Sequence, residues 1–319
     1  MDLTLLLDNL TNPALLFFFL GLFATQIKSD LEIPQNSAKF ISLYLLFSIG
    51  FKGGQELAHS EFNSEILWSV VFGVITAVIV PLYSFFLLKK RFGVSNAGAI
   101  AAAYGSVSAV TFVTTVAYLE SKGIDFGGHM VAVMAIMEAP AIIVGVLLIS
   151  QFKKDDQSMS CWHSVRHALT NGSVILIIGS LLIGYFASDA QAQGIKPFTT
   201  DIFKGFLAVF LLDMGITSGK KLKSFFKNGI SSLLFAIIVP IINGIAIAYL
   251  SGFFLESEGN RLLIAILAAS ASYIAVPAAM KLAAPKANPG LYVPMALAIT
   301  FPFNITVGMP LYYAIIQFT

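Results

Sequence analysis

The chain has 319 residues, of which 57% are hydrophobic and 11% charged, with a net charge of +2 and a mean hydropathy of +0.84. An ordinary soluble domain carries roughly 25% charged residues, and a core of this size cannot hide so much apolar surface from water, so most of it must face lipid. A soluble enzyme, a nucleic-acid binder and a disordered protein are excluded, and the charge is too small to require a polyanionic partner.

Asp2 and Asp8 precede the first apolar run. A secretory signal begins with positive charge, so this run reads as a retained span. Ten apolar segments follow in order, at 12–27, 37–54, 64–88, 95–119, 127–152, 171–188, 199–217, 229–254, 260–283 and 291–317. A bilayer-spanning helix needs about 20 mainly apolar residues. The expected fold is therefore an all-α integral membrane protein of ten transmembrane helices. The one sustained polar stretch between segments, 153–167, divides the chain into halves at 1–152 and 171–319, joined by a short linker at 153–170. It carries the single cysteine, Cys161, which excludes a disulfide framework. His163 and His167 share a spacing that could hold a metal, but no carboxylate is placed to complete the site. With ten spans both termini lie on one side. Placing them outside puts fourteen lysines and arginines in the cytoplasm against five outside, the bias that orients membrane proteins.

The two halves echo each other. Residues 50–57 (GFKGGQEL) answer 215–222 (GITSGKKL) at an offset of 165, and Val80-Pro81-Leu82 answers Val239-Pro240-Ile241 at 159. Residues 104–108 (YGSVS) answer 268–272 (AASAS) at 164, and 136–140 (IMEAP) answer 298–302 (AITFP) at 162. Each match is weak, yet four in the same order at nearly constant offset indicate an internal repeat. Five spans is an odd number, so the second copy is expected upside down, as in many secondary transporters.

In such an architecture the site lies near mid-membrane, where spans are interrupted and backbone polar groups are freed. The fourth and ninth spans are the expected interrupted ones. Gly105, Ser106, Ser108 and Thr111 crowd the middle of the fourth; Ser270 and Ser272, followed by Pro277, sit at the matching point of the ninth. Opposed half-helices would aim their N-terminal amides at a small anion, and nearby hydroxyls and carbonyls would suit sodium. Close helix packing by small residues is the competing reading.

Glu138 lies about midway along the fifth span. A carboxylate at that depth costs roughly 2.5–3.5 kcal/mol or more and commonly marks an ion path, though it could instead bond a broken helix end. Its repeat counterpart is Thr300, with Asn304 one turn on. Asn243 would face substrate or bridge two helices, and Asp213 would be embedded or interfacial. Lys52 and Glu56, four residues apart, would pair with each other. The segment 220–227 reads as an anchor to anionic lipid. The candidate substrate residues are thus Gly105, Ser106, Ser108, Ser270, Ser272 and Asn243; the candidate sodium residues are Ser106, Ser108, Thr111, Glu138 and Ser270. No nucleotide motif, nucleophile elbow or zinc helix is present in the sequence, so transport would draw on an ion gradient, and the chain is not expected to be an enzyme.

These residues resemble the bacterial sodium-dependent bicarbonate transporters of the cyanobacterial type. The likeness runs nearly end to end and rests on 49–54 (IGFKGG), 105–111 (GSVSAVT), 134–140 (MAIMEAP), 209–215 (VFLLDMG), 268–272 and 287–292 (ANPGLY). It implies two inverted five-helix repeats, a core domain moving against a gate domain, and a homotrimer in the bacterial inner membrane. It further implies bicarbonate and sodium bound where the broken spans cross, and a PII-like regulator docking on the cytoplasmic face. The chain departs from the pattern at Glu138, where the family carries an aspartate, and at Tyr273 and Val276-Pro277-Ala278, where it carries an aspartate and a Gly-Pro-Pro turn. The reading is a sodium-coupled symporter of bicarbonate or a similar small monoanion; a cation–proton antiporter or a sodium–organic anion symporter of similar build is the alternative.

Overall fold

A computed structural model describes residues 11–59, 63–152, 172–225 and 229–319, and every regular element among them is helical. In chain order these are α1 (Pro13–Gln26), α2 (Gln35–His59), α3 (Ser64–Gly105), α4 (Ala109–Lys122), α5 (His129–Phe152), α6 (Gly172–Phe186), α7 (Asp189–Lys196), α8 (Phe203–Phe225), α9 (Ile230–Ser251), α10 (Glu258–Ala269), α11 (Ala275–Ala283) and α12 (Pro289–Gln317). Asp2, Asp8, Cys161, His163, His167, Lys227 and the central linker lie outside the described residues.

Local chemistry sets the ends. Asn12 accepts from Ala14 N, with Pro13 opening α1, and Asn63 accepts from Ile66 N at the start of α3. Gly123, at φ 66°, stops α4 in the left-handed conformation. These side chains and turns satisfy groups that a helix end leaves unpaired. Among the described residues, five helical stretches are long and apolar enough to cross a membrane: 64–122, 129–152, 189–222, 230–251 and 289–317. Along α9, Ile230, Leu234, Ile238 and Ile242 form one exposed row, a surface suited to hydrocarbon rather than water.

Two regions differ from the sequence expectation. The third and fourth segments have no loop between them: α3 runs on through Lys89, Lys90 and Arg91 and changes direction at Gly93 alone, with φ 77° and ψ 165°. Only glycine adopts that conformation cheaply. Lys89 is held there by the rings of Phe86 and Phe152, 4.4 and 4.3 Å from its Nζ. The tenth segment is a helix with wide turns at Met295–Thr300 and Asn304–Gly308. Pro294, Pro302 and Pro310 lie eight residues apart along it. Each proline removes an amide donor and crowds the preceding turn, and widened turns accommodate both effects.

Packing divides the helices into two groups. In the first, α2 runs along α6 and α1 along α8, in contact through glycine. A Cβ on Gly54 would stand 2.1 Å from Leu181 O, and one on Gly184 would stand 2.2 Å from Phe51 O. A Cβ on Gly215 would stand 2.1 Å from Phe18 O, and one on Gly21 would stand 2.3 Å from Leu212 O. Backbones meet at these points, as small residues at four-residue spacing allow in lipid. The second group joins α3 to α5 and α9 to α10 and α12, and it contains the two interrupted stretches.

Candidate functional site

Helix α3 ends at Gly105 and α4 begins at Ala109; α10 ends at Ala269 and α11 begins at Ala275. The two gaps cross and bond to each other. Ser108 N donates to Ser270 Oγ at 2.9 Å, and Ser272 N donates to Ala103 O at 2.8 Å. Ser108 caps α4, its Oγ accepting from Thr111 N at 3.1 Å, and Ser272, inside the second gap, accepts at Oγ from Val276 N in the first turn of α11 at 3.4 Å. Helices α4 and α11 thus both begin at the crossing, and their amide ends carry partial positive charge.

A small cleft of about 50 Å³ opens beside the crossing. Its polar lining includes Ser42, Ser108, Glu138, Ser272 and Tyr273; Leu45, Val110, Val113, Met134 and Phe210 supply apolar walls, and Ala109 and Ala275 bring the first turns of α4 and α11. Among the described residues, Glu138 is the only charged one in that lining. Its carboxylate makes no hydrogen bond or ion pair with any described residue. Two further groups are left over: Ser106 Oγ and Thr111 Oγ1 are buried and have no hydrogen-bond partner among the described residues. Unpaired buried hydroxyls are costly in a folded chain. Hydroxyl oxygens with free lone pairs are of the kind a hard monovalent cation accepts, but neither Ser106 nor Thr111 lines the cleft that Glu138 lines.

The structure therefore brings Ser108, Ser272 and Glu138 to one cleft; Ser270 does not line it, its Oγ accepting from Ser108 N and donating to Leu267 O, and Ser106 and Thr111 are buried on the same interrupted stretch. Other candidates sit elsewhere or are committed to protein. Gly105 lies against proline, where an added Cβ would stand 2.1 Å from Pro81 Cγ. Asn243 bridges helices: Nδ2 donates to Ala268 O at 3.2 Å, and Oδ1 accepts from Tyr83 at 2.6 Å. Asn304 Nδ2 donates to Ala269 O at 2.8 Å, and its Oδ1 accepts from Tyr312 at 3.3 Å. The two amides together cap the carbonyls freed where α10 stops. Thr300 Oγ1 donates to Ala236 O at 2.7 Å and bonds Tyr104 Oη at 2.7 Å. Asp213 is buried in α8 but does not line the cleft.

One local expectation is corrected. Lys52 does not pair with Glu56; its Nζ donates to Glu120 on α4, across the boundary between the two helix groups. The four-residue spacing suggested a partner within the helix, whereas tertiary packing supplies one 68 positions away.

The unpaired hydroxyls carry a direct test. Ser106→Ala and Thr111→Val each remove a polar atom that bonds none of the described residues, so thermal stability is unchanged or slightly raised. If these hydroxyls ligate sodium, stabilisation by added sodium falls for both, because ligands that bind the folded state raise its midpoint. Thermal unfolding of detergent-purified protein at several sodium concentrations checks both outcomes.

A search of curated proteins finds no match to this sequence. A family profile described as the Na+-dependent bicarbonate transporter superfamily matches residues 13–317. With that match covering nearly the whole chain, and with interrupted helices crossing beside a free carboxylate, the chain belongs to the Na+-dependent bicarbonate transporter superfamily.

Proposed function

We propose that the chain is a sodium-coupled symporter that takes up bicarbonate or a similar small monoanion by alternating access. The observation that carries this reading is Glu138, a carboxylate without a partner among the described residues, lining a cleft where two interrupted helices cross. Sodium then sits among Glu138 and the hydroxyls of Ser106, Ser108 and Thr111. The anion sits against the opening turns of α4 and α11, with Ser270 and Ser272 holding the crossing together. Helix N-termini favour negative charge, and the cation beside it offsets the charge of Glu138.

The same reading takes the molecule as two five-helix repeats of opposite orientation. Exchanging the halves swaps the α2–α6 pair for the α8–α1 pair, and both pairs touch through matching glycines, Gly50 and Gly54 in one and Gly215 and Gly219 in the other. The group of α1, α2, α6 and α8 serves as the gate, and the group containing the interrupted helices moves against it. Both termini face outward in this arrangement, as the lysine and arginine bias favours.

One anion moving with one sodium is electroneutral. A tenfold sodium gradient then supplies about 1.4 kcal/mol, one decade of accumulation. Uptake of labelled bicarbonate into proteoliposomes tests the reading: an inward sodium gradient drives uptake that collapses when sodium is equal on both sides. Uptake indifferent to sodium contradicts it.

A further inference from the structure

The cleft extends to one side of the crossing only. On α2 it is lined by Ser42, Leu45 and Leu46, on α5 by Met134, Ala135 and Glu138, and on α8 by Phe210. The opposite side of the same helices narrows to a separate small pocket whose lining includes Lys52, Gly53, Glu56, Glu120, Val131 and Phe203. There Lys52 of α2 forms its ion pair with Glu120 of α4, and its Nζ lies 6.0 Å from the ring centre of Phe203 at the start of α8. Just beneath, a Cβ on Gly53 would stand 2.6 Å from Val131 Cγ2, and one on Gly128 would stand 2.2 Å from Gly53 O. Helix α2 and the beginning of α5 therefore meet backbone to backbone. Lys52 lies six to ten residues beyond the cleft-lining part of α2, roughly 9–15 Å along the axis at 1.5 Å per residue. Phe203 and Phe210 repeat that displacement on α8, and Val131 and Glu138 repeat it on α5, all in the same sense.

We infer that the Lys52–Glu120 ion pair is the gate that closes the cleft on the side of the C-terminal end of α2, the outer side in the orientation proposed above. It joins α2 of one helix group to the interrupted α4 of the other, so the groups separate at that level only if the pair parts. Its side chains are 26% and 24% exposed. A partly hydrated pair of this kind is weak enough to open within a transport cycle, whereas an apolar seam of the same extent would not release without exposing its surface. The cleft itself is left to the substrate. The inference rests on the transporter reading and adds to it the residues that hold one state closed.

The test uses the fact that Cys161 is the only cysteine. In a Cys161→Ser chain, Val110→Cys places a thiol in the cleft lining, and a membrane-impermeant maleimide reports its access from each side in right-side-out and inside-out vesicles. With the pair intact, labelling from the outer side is slow. Lys52→Met and Glu120→Gln each speed it at least about threefold, and the exchange Lys52→Glu with Glu120→Lys restores the slow rate. A merely structural pair would alter the amount of folded protein but not the sidedness of labelling. Unchanged outer labelling in both single variants, or failure of the exchange to restore it, overturns the gate. If that happens while the Cys161→Ser chain still takes up bicarbonate with sodium, the transport reading stands alone. If that chain shows no sodium-dependent uptake, the reading and the gate fall together.

Discussion

Glu138→Gln weakens sodium binding about tenfold to a hundredfold, with little change in stability without sodium. The amide keeps the size of the side chain and removes the only charge lining the cleft among the described residues. Two unit charges 4 Å apart interact by about 4 kcal/mol at an effective dielectric of 20. Desolvation of the cation offsets part of this, leaving about 1.4–2.8 kcal/mol, one to two decades in affinity. No protein donor is orphaned, because the carboxylate bonds none of the described residues. The sodium dependence of bicarbonate uptake reads the effect. In a cation–proton antiporter, the same substitution would abolish pH-dependent sodium flux measured without any anion. Unaltered sodium dependence would remove Glu138 from the ion site.

Asn304→Leu acts the other way, through the fold. The substitution takes the donor from Ala269 O in the buried interior; Tyr312 Oη keeps its shorter bond to Pro240 O at 3.0 Å. A buried carbonyl without a partner costs about 1–3 kcal/mol. The expected result is a melting midpoint lower by several degrees, with or without sodium. Asn304→Asp is no rescue, since a carboxylate offers no N–H to the carbonyl. Asn243→Leu has the same sign, because Asn243 serves the neighbouring carbonyl of Ala268. Together the two amides explain how α10 can stop inside an apolar environment. A melting midpoint unchanged in both variants would show that the carbonyls find other partners.

The interrupted stretches were legible because local composition writes them: small and hydroxylated residues at 105–111 and 268–272, with Pro277 beyond, cannot sustain a helix of leucine-like regularity. Glu138 was legible as an acid among apolar neighbours. What composition could not carry was the partner of each polar group. The bond from Lys52 to Glu120 and the bonds of Asn243 and Asn304 to the end of α10 depend on which helices lie side by side. For Asn243 the sequence left facing substrate and bridging two helices both open, and its spacing could not decide between them. Gly93 was hidden for a different reason. A single glycine between charged residues reads as part of a loop, yet helix continues to either side of it. The free hydroxyls of Ser106 and Thr111 are also a property of packing, since the caps and backbone carbonyls around them are already taken.

The central claim is that the cation binds where Glu138 meets the interrupted α3–α4 stretch. Electron cryomicroscopy of the protein in lipid nanodiscs tests it most directly, with bicarbonate present and with either sodium or a large organic cation as the only counter-ion. The account predicts a density present only with sodium, within coordination distance of Glu138 and of at least one of the Ser106 and Thr111 hydroxyls. It also predicts a second density against the first turns of α4 and α11. Sodium-dependent density located away from Glu138 and the crossing, with the cleft unchanged between the two samples, would contradict it.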